Sequence, residues 1–328
     1  MTRIYSKIRA TGAALPARRI SNEQLAQQLA RDGIETSDEW IRSRTGIEQR
    51  YFVQDDESLV SLSVSAAEQT LKRAQVKATD VDLIIVATTT PDRVFPSTAC
   101  SVQAAIGAEK AAAFDMQVVC SGFVYALSVA DAMIGSGRYQ NALVIGADVM
   151  SRLMDFTDRS TCVLFGDGAG AVLLQPSNEP GLLASDLSAQ GTLDANVLGC
   201  QGHLQNGRWL GAGTLTMNGQ QVFRTAVSVL ADSAQKALTQ AGIQAQELAC
   251  YVPHQANLRI MQMVAKRLGI AEDKMVVTVN QHGNTSAASV PLALDWAAQN
   301  AALKKGDAVL LQAVGAGMAW GSVILRWS

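Results

Sequence analysis

Histidine is scarce in this chain of 328 residues, which contains only His203, His254 and His282. Charge is also sparse: charged residues make up 17% of the chain and the formal net charge is -2, so nothing global favours a nucleic-acid or membrane-surface partner. Apolar runs such as Leu83-Ile84-Ile85-Val86-Ala87 have the length of a buried strand, far below the roughly 20 residues that span a bilayer. No apolar stretch of signal-peptide length follows the first residues. The sequence therefore predicts a cytoplasmic protein with neither a nucleic-acid nor a membrane partner.

Cysteine spacing excludes two further classes of protein. The cysteines are odd in number, and no C-x-x-C or mixed His/Cys ligand spacing is present among Cys100, Cys120, Cys162, Cys200 and Cys250. Neither a disulfide framework nor a structural zinc is expected, and no metal site is predicted. A free cysteine is by default a small buried hydrophobe, so a reactive one needs a local reason.

Short apolar runs alternate with helical patterns along the whole chain. This alternation is typical of an α/β protein whose central strands are buried on both faces. Strand-rich segments are predicted within residues 80–90, 113–119, 141–149, 162–174, 247–254 and 307–327.

The two parts of the chain repeat one plan. The interval from Thr88 to Cys120 and the interval from His254 to Asn284 are nearly equal in length, and each reads as an amphipathic helix followed by a strand. We place the boundary in the turn-rich stretch 175–181, which gives halves of residues 1–176 and 177–328, packed face to face with the site between them. Residues 188–216 are polar and aperiodic, and we interpret them as a long loop or flap.

Cys120 lies at a predicted strand-to-helix turn. It follows the apolar segment 113–119 and precedes a helical pattern over 121–130. At the positive end of a helix dipole a thiolate is stabilised, which predicts a lowered pKa and a nucleophilic thiol. Ser121 and Gly122 directly after it permit a tight turn and the approach of a thioester. A buried structural cysteine is the alternative interpretation.

Two histidines lie in polar turns. His254 follows Pro253 where a strand ends, whereas His282 and Asn284 share a turn rich in small residues. Either segment could serve only as a cap for the next helix. His203 has no supporting context.

Two glycine clusters complete the candidate features, Gly166-Asp167-Gly168-Ala169-Gly170 and Gly315-Ala316-Gly317. Neither matches a dinucleotide or P-loop fingerprint. We expect tight backbone turns at both, with the second free to direct an amide at an oxyanion.

Taken together, these motifs resemble ketoacyl-ACP synthase III, in the order and spacing of that family and from near residue 4 to the C-terminus. The segments that carry the resemblance are Cys120-Ser121-Gly122-Phe123, Phe165–Gly170, Pro253–Arg259 and His282–Ser289, with Asp38–Ile41 and Arg44–Ile47 similar to the CoA-contacting segment. The resemblance implies a thiolase-like five-layered αβαβα fold made of two duplicated halves, and a homodimer.

The resemblance also implies a triad of Cys120, His254 and Asn284. Cys120 would be acylated by acetyl-CoA or another short acyl-CoA. His254 and Asn284 would donate hydrogen bonds to malonyl-ACP during loss of carbon dioxide, and amides of Cys120, Ala316 and Gly317 would hold the oxyanion. One such preorganised donor contributes roughly 3–4 kcal/mol to lowering the barrier. The only cofactor-like groups would be those of the substrates, CoA thioester and phosphopantetheinyl acyl carrier protein.

By the same resemblance, substrate contacts fall on two further sets of residues. CoA would contact Arg44, the adenine of CoA would lie between Trp40 and Arg159, and Phe95 would line the acyl pocket across the dimer. The acyl carrier protein would meet a surface formed by Arg224, Gln255, Ala256, Asn257, Leu258, Arg259 and Lys266. For each of the cations, an ordinary solvated charge is the alternative.

The sequence departs from the family at two points. Gln117-Val118-Val119 precedes the nucleophile where small residues are common, and Ala316 stands in a turn that is often all glycine. Both departures bear on the choice of starter acyl group rather than on the reaction class.

The sequence disfavours three other functions and leaves a fourth open. A biosynthetic thiolase would need a second cysteine in the last glycine-rich turn, but none follows Cys250. A cysteine hydrolase would need a water route to Cys120, which Val118, Val119 and Phe123 disfavour. A non-catalytic relative would normally have lost the triad. A relative in secondary metabolism with a different acyl starter, or an acyltransferase or thioesterase of the same fold, stays as the main alternative.

Overall fold

The computed structural model describes residues 4–192, 197–200, 202–206, 208–210, 213–300 and 302–328. Its strands are β1 (Tyr5–Ala14), β2 (Arg18–Ser21), β3 (Gln49–Phe52), β4 (Leu83–Ala87), β5 (Ala112–Met116), β6 (Ala142–Val149), β7 (Asp167–Ser177), β8 (Leu182–Ala189), β9 (Leu198–Cys200), β10 (His203–Gln205), β11 (Arg208–Leu210), β12 (Leu215–Met217), β13 (Cys250–Pro253), β14 (Ala308–Gly315) and β15 (Ala319–Arg326). Its helices are α1 (Asn22–Ala30), α2 (Asp38–Thr45), α3 (Leu59–Ala74), α4 (Thr98–Ile106), α5 (Gly122–Gly135), α6 (Arg159–Cys162), α7 (Gly219–Ala241), α8 (Leu258–Leu268), α9 (Val279–His282) and α10 (Ser289–Gln299).

Two sheets form the centre of the molecule. The first has the strand order β1-β7-β6-β4-β5, in which β4 runs parallel to β5 and β6, and β7 runs antiparallel to β1 and β6. The second has the order β13-β14-β15-β8, with β13 parallel to β14 and the other pairs antiparallel. The chain passes from the first sheet to the second between Ser177 and Leu182. The predicted boundary near residue 176 falls beside this passage and stays a prediction.

The apolar side chains on the two faces of each central strand pack into two different cores. In β4, Leu83, Ile85 and Ala87 pack towards α5 and α10, whereas Ile84 and Val86 pack towards α3 and α4. In the second sheet, Val309 and Leu311 of β14 face α5 and α10, and Leu310 faces α7 and α8. Side chains that alternate along a strand point to opposite faces, so a strand buried on both sides reads as a continuous apolar run.

Three apolar cores, one between the two sheets and one on the outer face of each sheet, separate the molecule into five layers. Helices α3 and α4 cover the first sheet, α5 and α10 lie between the two sheets, and α7 and α8 cover the second sheet. This is the predicted thiolase-like αβαβα architecture.

Glycines allow the central helical layer to lie close to the first sheet. A Cβ on Gly146 of β6 would come within 2.3 Å of the Ala287 carbonyl oxygen, and one on Gly170 of β7 within 2.8 Å of Pro291. The cluster at 166–170 is therefore mainly strand, since Gly168 and Gly170 lie inside β7. This differs from the predicted turn, because the sequence pattern does not reveal that another element packs against the strand here.

Most of the predicted strands are confirmed. The segments at 80–90, 141–149 and 247–254 contain β4, β6 and β13, the segments at 113–119 and 162–174 overlap β5 and β7, and 307–327 contains β14, a turn and β15. The second half of the repeat differs in detail, since the interval between His254 and Asn284 holds α8 and α9 but only an isolated bridge at Met275.

The predicted flap at 188–216 contains short antiparallel pairs in its described part. β10 pairs with β11, and β9 pairs with β12. Residues 193–196, 201, 207, 211 and 212 of this segment lie outside the described residues. Among the helices described, none combines the length and the apolar character that crossing a membrane requires.

Candidate active site

Cys120 lies in a short 3-10 turn, Val119–Ser121, between β5 and α5. Only 5% of its surface is exposed. Val119 has a positive φ of 48°, which is unusual for a β-branched residue and costs free energy that the surrounding packing must supply. The predicted strand-to-helix position of Cys120 is therefore confirmed, with its thiol inside the protein at the amino end of α5.

Burial raises the pKa of Cys120 to about 12, and a hydrogen bond from Ser286 opposes this rise. The sequence predicted a lowered pKa because α5 begins just after the cysteine. The structure differs because removal from water disfavours the thiolate, and this desolvation outweighs the favourable contacts. The resting thiol is neutral at physiological pH.

Ser286 and Asp148 form a buried group beside the thiol. The Ser286 hydroxyl lies 3.4 Å from Cys120 Sγ and also hydrogen-bonds to the Asp148 carboxyl group, so its single proton can be donated to only one of the two at a time. Ser286 has a positive φ of 51°. Asp148, at the end of β6, accepts hydrogen bonds from Thr88, Thr89, Thr90 and Ala287. Asp148 therefore joins the ends of β4 and β6 to the segment that contacts the cysteine.

His254 immediately follows β13 of the second sheet and is 5% exposed. Its amide donates to the Gln312 carbonyl at 2.7 Å, which fixes its backbone to β14. Its Nδ1 lies 2.5 Å from Ser289 Oγ at the start of α10. Burial lowers its pKa to about 4, so the imidazole is neutral at pH 7.

Asn284 is oriented by its neighbours. Its side-chain Oδ1 accepts from the Ser286 amide at 3.0 Å, and its backbone pairs with Leu164 and Gly166. Because Oδ1 is engaged, the amide NH₂ is the end of this side chain that can donate to a substrate.

One cavity of about 190 Å³ brings these three side chains together. Cys120, His254 and Asn284 all contribute to its wall, as does Ala316. Most of the remaining lining is apolar and includes Val119, Met150, Leu153, Phe165, Leu198, Leu215, Phe223 and Val314. A mostly apolar lining with a few convergent polar groups is the usual form of a binding site for a small organic ligand such as an acyl group.

The turn between β14 and β15 packs against the nucleophile. A Cβ on Gly315 would lie 2.8 Å from the Cys120 amide nitrogen, so a glycine is needed for this approach. Ala316, whose amide is predicted to bind the oxyanion, lines the cavity that also contains Cys120. Gly317, also predicted, lies at the exposed tip of the turn with a φ of 122°.

A wide cleft of about 990 Å³ adjoins the cavity. The two share Met217, Phe223 and Asn257, and the outer cleft is lined by Trp40, Arg44, Arg224 and Arg259. The guanidinium carbons of Arg44 and Arg159 lie 4.6 and 4.5 Å from the Trp40 ring centre. Trp40 and Arg159 are therefore in contact with each other, and a base predicted to insert between them must first separate them.

The predicted carrier-protein residues fall into two groups. Arg224, Arg259 and Lys266 are exposed, and Leu258 is half-buried against Gly46. Ala256 and Asn257 line the cavity, and Asn257 also caps α8 and donates to the Arg44 carbonyl.

Gln255 differs from the prediction. Only 1% of it is exposed, and its side-chain amide is bonded to Pro253, Val276, Thr278 and Val279. Its side chain is thus not available to a docked protein, because the same polar atoms that suggested a surface contact stabilise an internal turn.

Phe95 is 83% exposed and lies away from the cavity of its own chain.

Sequence reasoning missed three polar residues, Asp148, Ser286 and Ser289. Asp148 could have been noticed as a carboxyl group within an otherwise apolar strand, whereas only the fold shows which atoms the two serines contact. Among the described residues, no three His, Cys, Asp or Glu side chains lie close enough together to hold a metal ion.

Comparison with protein families identifies two matching segments. Residues 114–191 match the model described as 3-oxoacyl-[acyl-carrier-protein (ACP)] synthase III, and residues 238–327 match the C-terminal model of the same family. The two segments contain Cys120, His254 and Asn284.

Comparison with solved structures gives the same result over nearly the whole chain. The chain is 41% identical to 3-oxoacyl-[acyl-carrier-protein] synthase III from Aquifex aeolicus, with a TM-score of 0.92 over 98% of this chain and 100% of that one. It is 39% identical to the enzyme from Pseudomonas aeruginosa, with a TM-score of 0.91 over 98% of each chain. It is also 33% identical to the priming beta-ketosynthase from the R1128 polyketide biosynthetic pathway, with a TM-score of 0.91 over 99% of this chain and 97% of that one. The chain therefore belongs to the 3-oxoacyl-[acyl-carrier-protein] synthase III family and is a condensing enzyme of the acyltransferase type.

Proposed function

We propose that this enzyme condenses acetyl-CoA with malonyl-ACP to give acetoacetyl-ACP, carbon dioxide and free CoA, and so initiates fatty acid synthesis. The observation that carries the proposal is the convergence of Cys120, His254 and Asn284 on one apolar cavity. Such a cavity excludes water from a reactive acyl group, and its few polar atoms are those that the reaction needs.

The first half-reaction is transfer of the acyl group to Cys120. The sulfur attacks the thioester carbonyl of acetyl-CoA, the bond from that carbonyl to the CoA sulfur breaks, and the proton of the Cys120 thiol leaves with CoA. The oxyanion that develops meets the amides of Cys120 and Ala316. Since the pKa of the resting thiol is raised by burial, the thiol must lose its proton during acylation rather than before substrate arrives.

The second half-reaction is decarboxylation of malonyl-ACP and formation of the carbon–carbon bond. The thioester carbonyl of the malonyl group accepts hydrogen bonds from neutral His254 and from the Asn284 NH₂. These bonds stabilise the enolate left when carbon dioxide departs. The enolate carbon then attacks the acetyl carbonyl on Cys120, the bond from that carbonyl to Cys120 Sγ breaks, and the released thiolate takes up one proton from water to restore the thiol.

The adjoining cleft would deliver both substrates. A phosphopantetheine arm would follow the shared wall from the cleft to Cys120, past Asn257 and Phe223. Arg44 and Arg159 beside Trp40 are the groups proposed to meet CoA. The exposed cations Arg224, Arg259 and Lys266 are those proposed to meet the acidic acyl carrier protein.

A homodimer is part of the proposal. β5 is an edge strand of the first sheet and is only half-buried, and the neighbouring Val94 and Phe95 are 94% and 83% exposed. An unpaired edge beside exposed apolar side chains favours pairing with another chain. A second copy would cover both features, and its Phe95 could then approach the acyl cavity. A cytoplasmic location stays a prediction from the sequence.

The second candidate is a priming condensing enzyme of secondary metabolism with a different acyl starter. It is favoured by the similarity to the R1128 priming ketosynthase, which is 33% identical over 99% of this chain. Acetyl remains the first choice because the apolar bulk next to the nucleophile narrows the space for a larger acyl group.

The test is the intact mass of the protein after incubation with acetyl-CoA alone, wild type beside Cys120→Ser. We expect one added acetyl group on the wild type only, which malonyl-ACP then discharges as acetoacetyl-ACP. An unmodified wild type would contradict the acetyl assignment. A panel of branched and longer acyl-CoA thioesters then distinguishes the second candidate, because one of these would acylate Cys120 instead.

A further inference from the structure

The environment of His254 determines which of its ring nitrogens carries the proton. Nδ1 lies 2.5 Å from Ser289 Oγ, and Ser289 is 1% exposed. The same hydroxyl oxygen accepts from the Gln255 amide at 3.4 Å. A serine hydroxyl has one proton to donate and two lone pairs to accept with.

The donors and acceptors around Ser289 leave one consistent arrangement. The Gln255 amide can only donate, so it occupies a lone pair of Ser289 Oγ. Among the described residues, the one acceptor that the Ser289 hydroxyl proton meets is His254 Nδ1. If Nδ1 instead carried the proton, the Ser289 oxygen would receive two donors and its own proton would have no recorded acceptor, which is costly in a buried site.

We infer that Ser289 is a positioning residue that holds His254 as the Nε2–H tautomer, with Nδ1 accepting from the Ser289 hydroxyl. His254 then presents a hydrogen-bond donor to the cavity. Asn284 presents a second donor, since its Oδ1 is held by the Ser286 amide. Two neutral donors in one wall suit an enolate oxygen.

This arrangement assigns His254 to only one half-reaction. An Nε2–H imidazole has no free lone pair towards the cavity, so it cannot accept the proton of Cys120. Its pKa near 4 keeps it uncharged, which suits donation to an enolate without adding a proton to it. Ser289 should therefore matter for decarboxylation and condensation and matter little for acylation. This division depends on the proposed function, whereas the tautomer itself does not.

The first test is the tautomer of His254 in the substrate-free enzyme. Long-range ¹H–¹⁵N spectra of protein labelled at histidine distinguish a protonated from an unprotonated ring nitrogen. Because the chain has only three histidines, few signals have to be assigned. We expect Nδ1 of His254 to be unprotonated and Nε2 to be protonated at pH 7. An Nδ1–H tautomer in the wild type would overturn the inference, even if every variant failed to fold.

The second test separates the two half-reactions in Ser289→Ala. We expect acylation of Cys120 by acetyl-CoA to stay close to wild type and condensation with malonyl-ACP to fall about tenfold, the factor equivalent to roughly 1.4 kcal/mol, as for loss of one good hydrogen bond. Ser289→Thr keeps a hydroxyl and should restore much of the rate and the Nε2–H signal. Ser63→Ala removes a buried hydroxyl in α3, far from the cavity, and is the matched control.

Two outcomes would count against Ser289 in distinct ways. An unchanged condensation rate in Ser289→Ala would overturn its positioning role. Loss of acylation in that variant alone would instead indicate that His254 accepts the thiol proton, which also contradicts the inference. Failure of the wild type to be acylated would refute the proposed function but would leave the tautomer measurement valid.

Discussion

At the scale of single residues, two effects act in opposite directions on the pKa of Cys120: the dipole of α5 lowers it and burial raises it. A strand pattern before Cys120 and a helix pattern after it predict the amino end of a helix, and α5 begins at Gly122. That local reasoning accounts for the helix dipole, which favours a thiolate. It cannot account for burial, because burial arises from residues distant in sequence such as Ser286 and Gly315.

The reactivity of Cys120 should therefore depend steeply on pH. Burial raises its pKa to about 12, so the thiolate fraction should increase about tenfold per pH unit throughout pH 6–9. The measurement is the rate of alkylation of the Cys120 peptide by iodoacetamide, followed by mass spectrometry. The exposed Cys100 is alkylated in the same sample, and its labelling shows that the iodoacetamide is active at each pH. A rate that levels off below pH 8 would show that the dipole outweighs desolvation.

At the scale of secondary structure elements, the sequence predicts strands better than it predicts contacts between them. The strands β4, β6, β13, β14 and β15 lie where apolar runs indicated them. The glycines of β7 were interpreted as a turn because a turn is the commonest local reason for glycine. Their actual role involves α10, which lies more than a hundred residues later in the chain and packs directly on Gly170.

Gly146→Ala should destabilise the enzyme because the central helical layer has no room for a methyl group. A Cβ there would lie 2.3 Å from the Ala287 carbonyl oxygen, and backbone cannot move aside as a flexible side chain does. We expect a loss of about 1–3 kcal/mol in the free energy of unfolding, measured by urea denaturation. Gly191→Ala is the matched control, since a Cβ at Gly191 has nothing within 4 Å. Equal stability of the two variants would contradict the packing described here.

The candidate site was predictable in its triad but not in its supporting residues. Cys120, His254 and Asn284 were selected from motifs, and all three line the cavity. Gln255 was expected at the surface and lies inside, and Ser289 ended a recognised motif but was given no role of its own. A motif identifies residue types and spacing, whereas the partner of each polar atom depends on how β13, α9 and α10 pack.

At the scale of the whole molecule, the buried His254 and the half-buried His282 should make stability depend on pH. Burial lowers the pKa of both His254 and His282 from 6.5 to about 4. Between these values the unfolded chain binds more protons than the folded protein, so the stability present above pH 6.5 is lost as the pH falls towards 4. The buried carboxyl groups of Asp148 and Asp167 have raised pKa values and act in the opposite direction.

His282→Gln isolates one of these contributions. We expect the free energy of unfolding of this variant to fall less steeply between pH 6.5 and 4, by up to about 1.4 kcal/mol per pH unit relative to wild type. Urea denaturation at several pH values gives both slopes. Gln281→Ala, an exposed neighbour in α9 that does not titrate, should keep the wild-type slope. Identical slopes for wild type and His282→Gln would show that His282 is protonated equally in both states.

The cavity also lies on the seam between the two sheets. Cys120 follows a strand of the first sheet and His254 follows a strand of the second, with α5 and α10 between them. A slight sliding of one sheet relative to the other would move the sulfur away from the imidazole while leaving every helix and strand intact. Catalytic activity should therefore respond to a relative shift of the two sheets that circular dichroism does not detect. As denaturant is added in steps, we expect the activity to be lost at a lower concentration than the circular dichroism signal of the secondary structure.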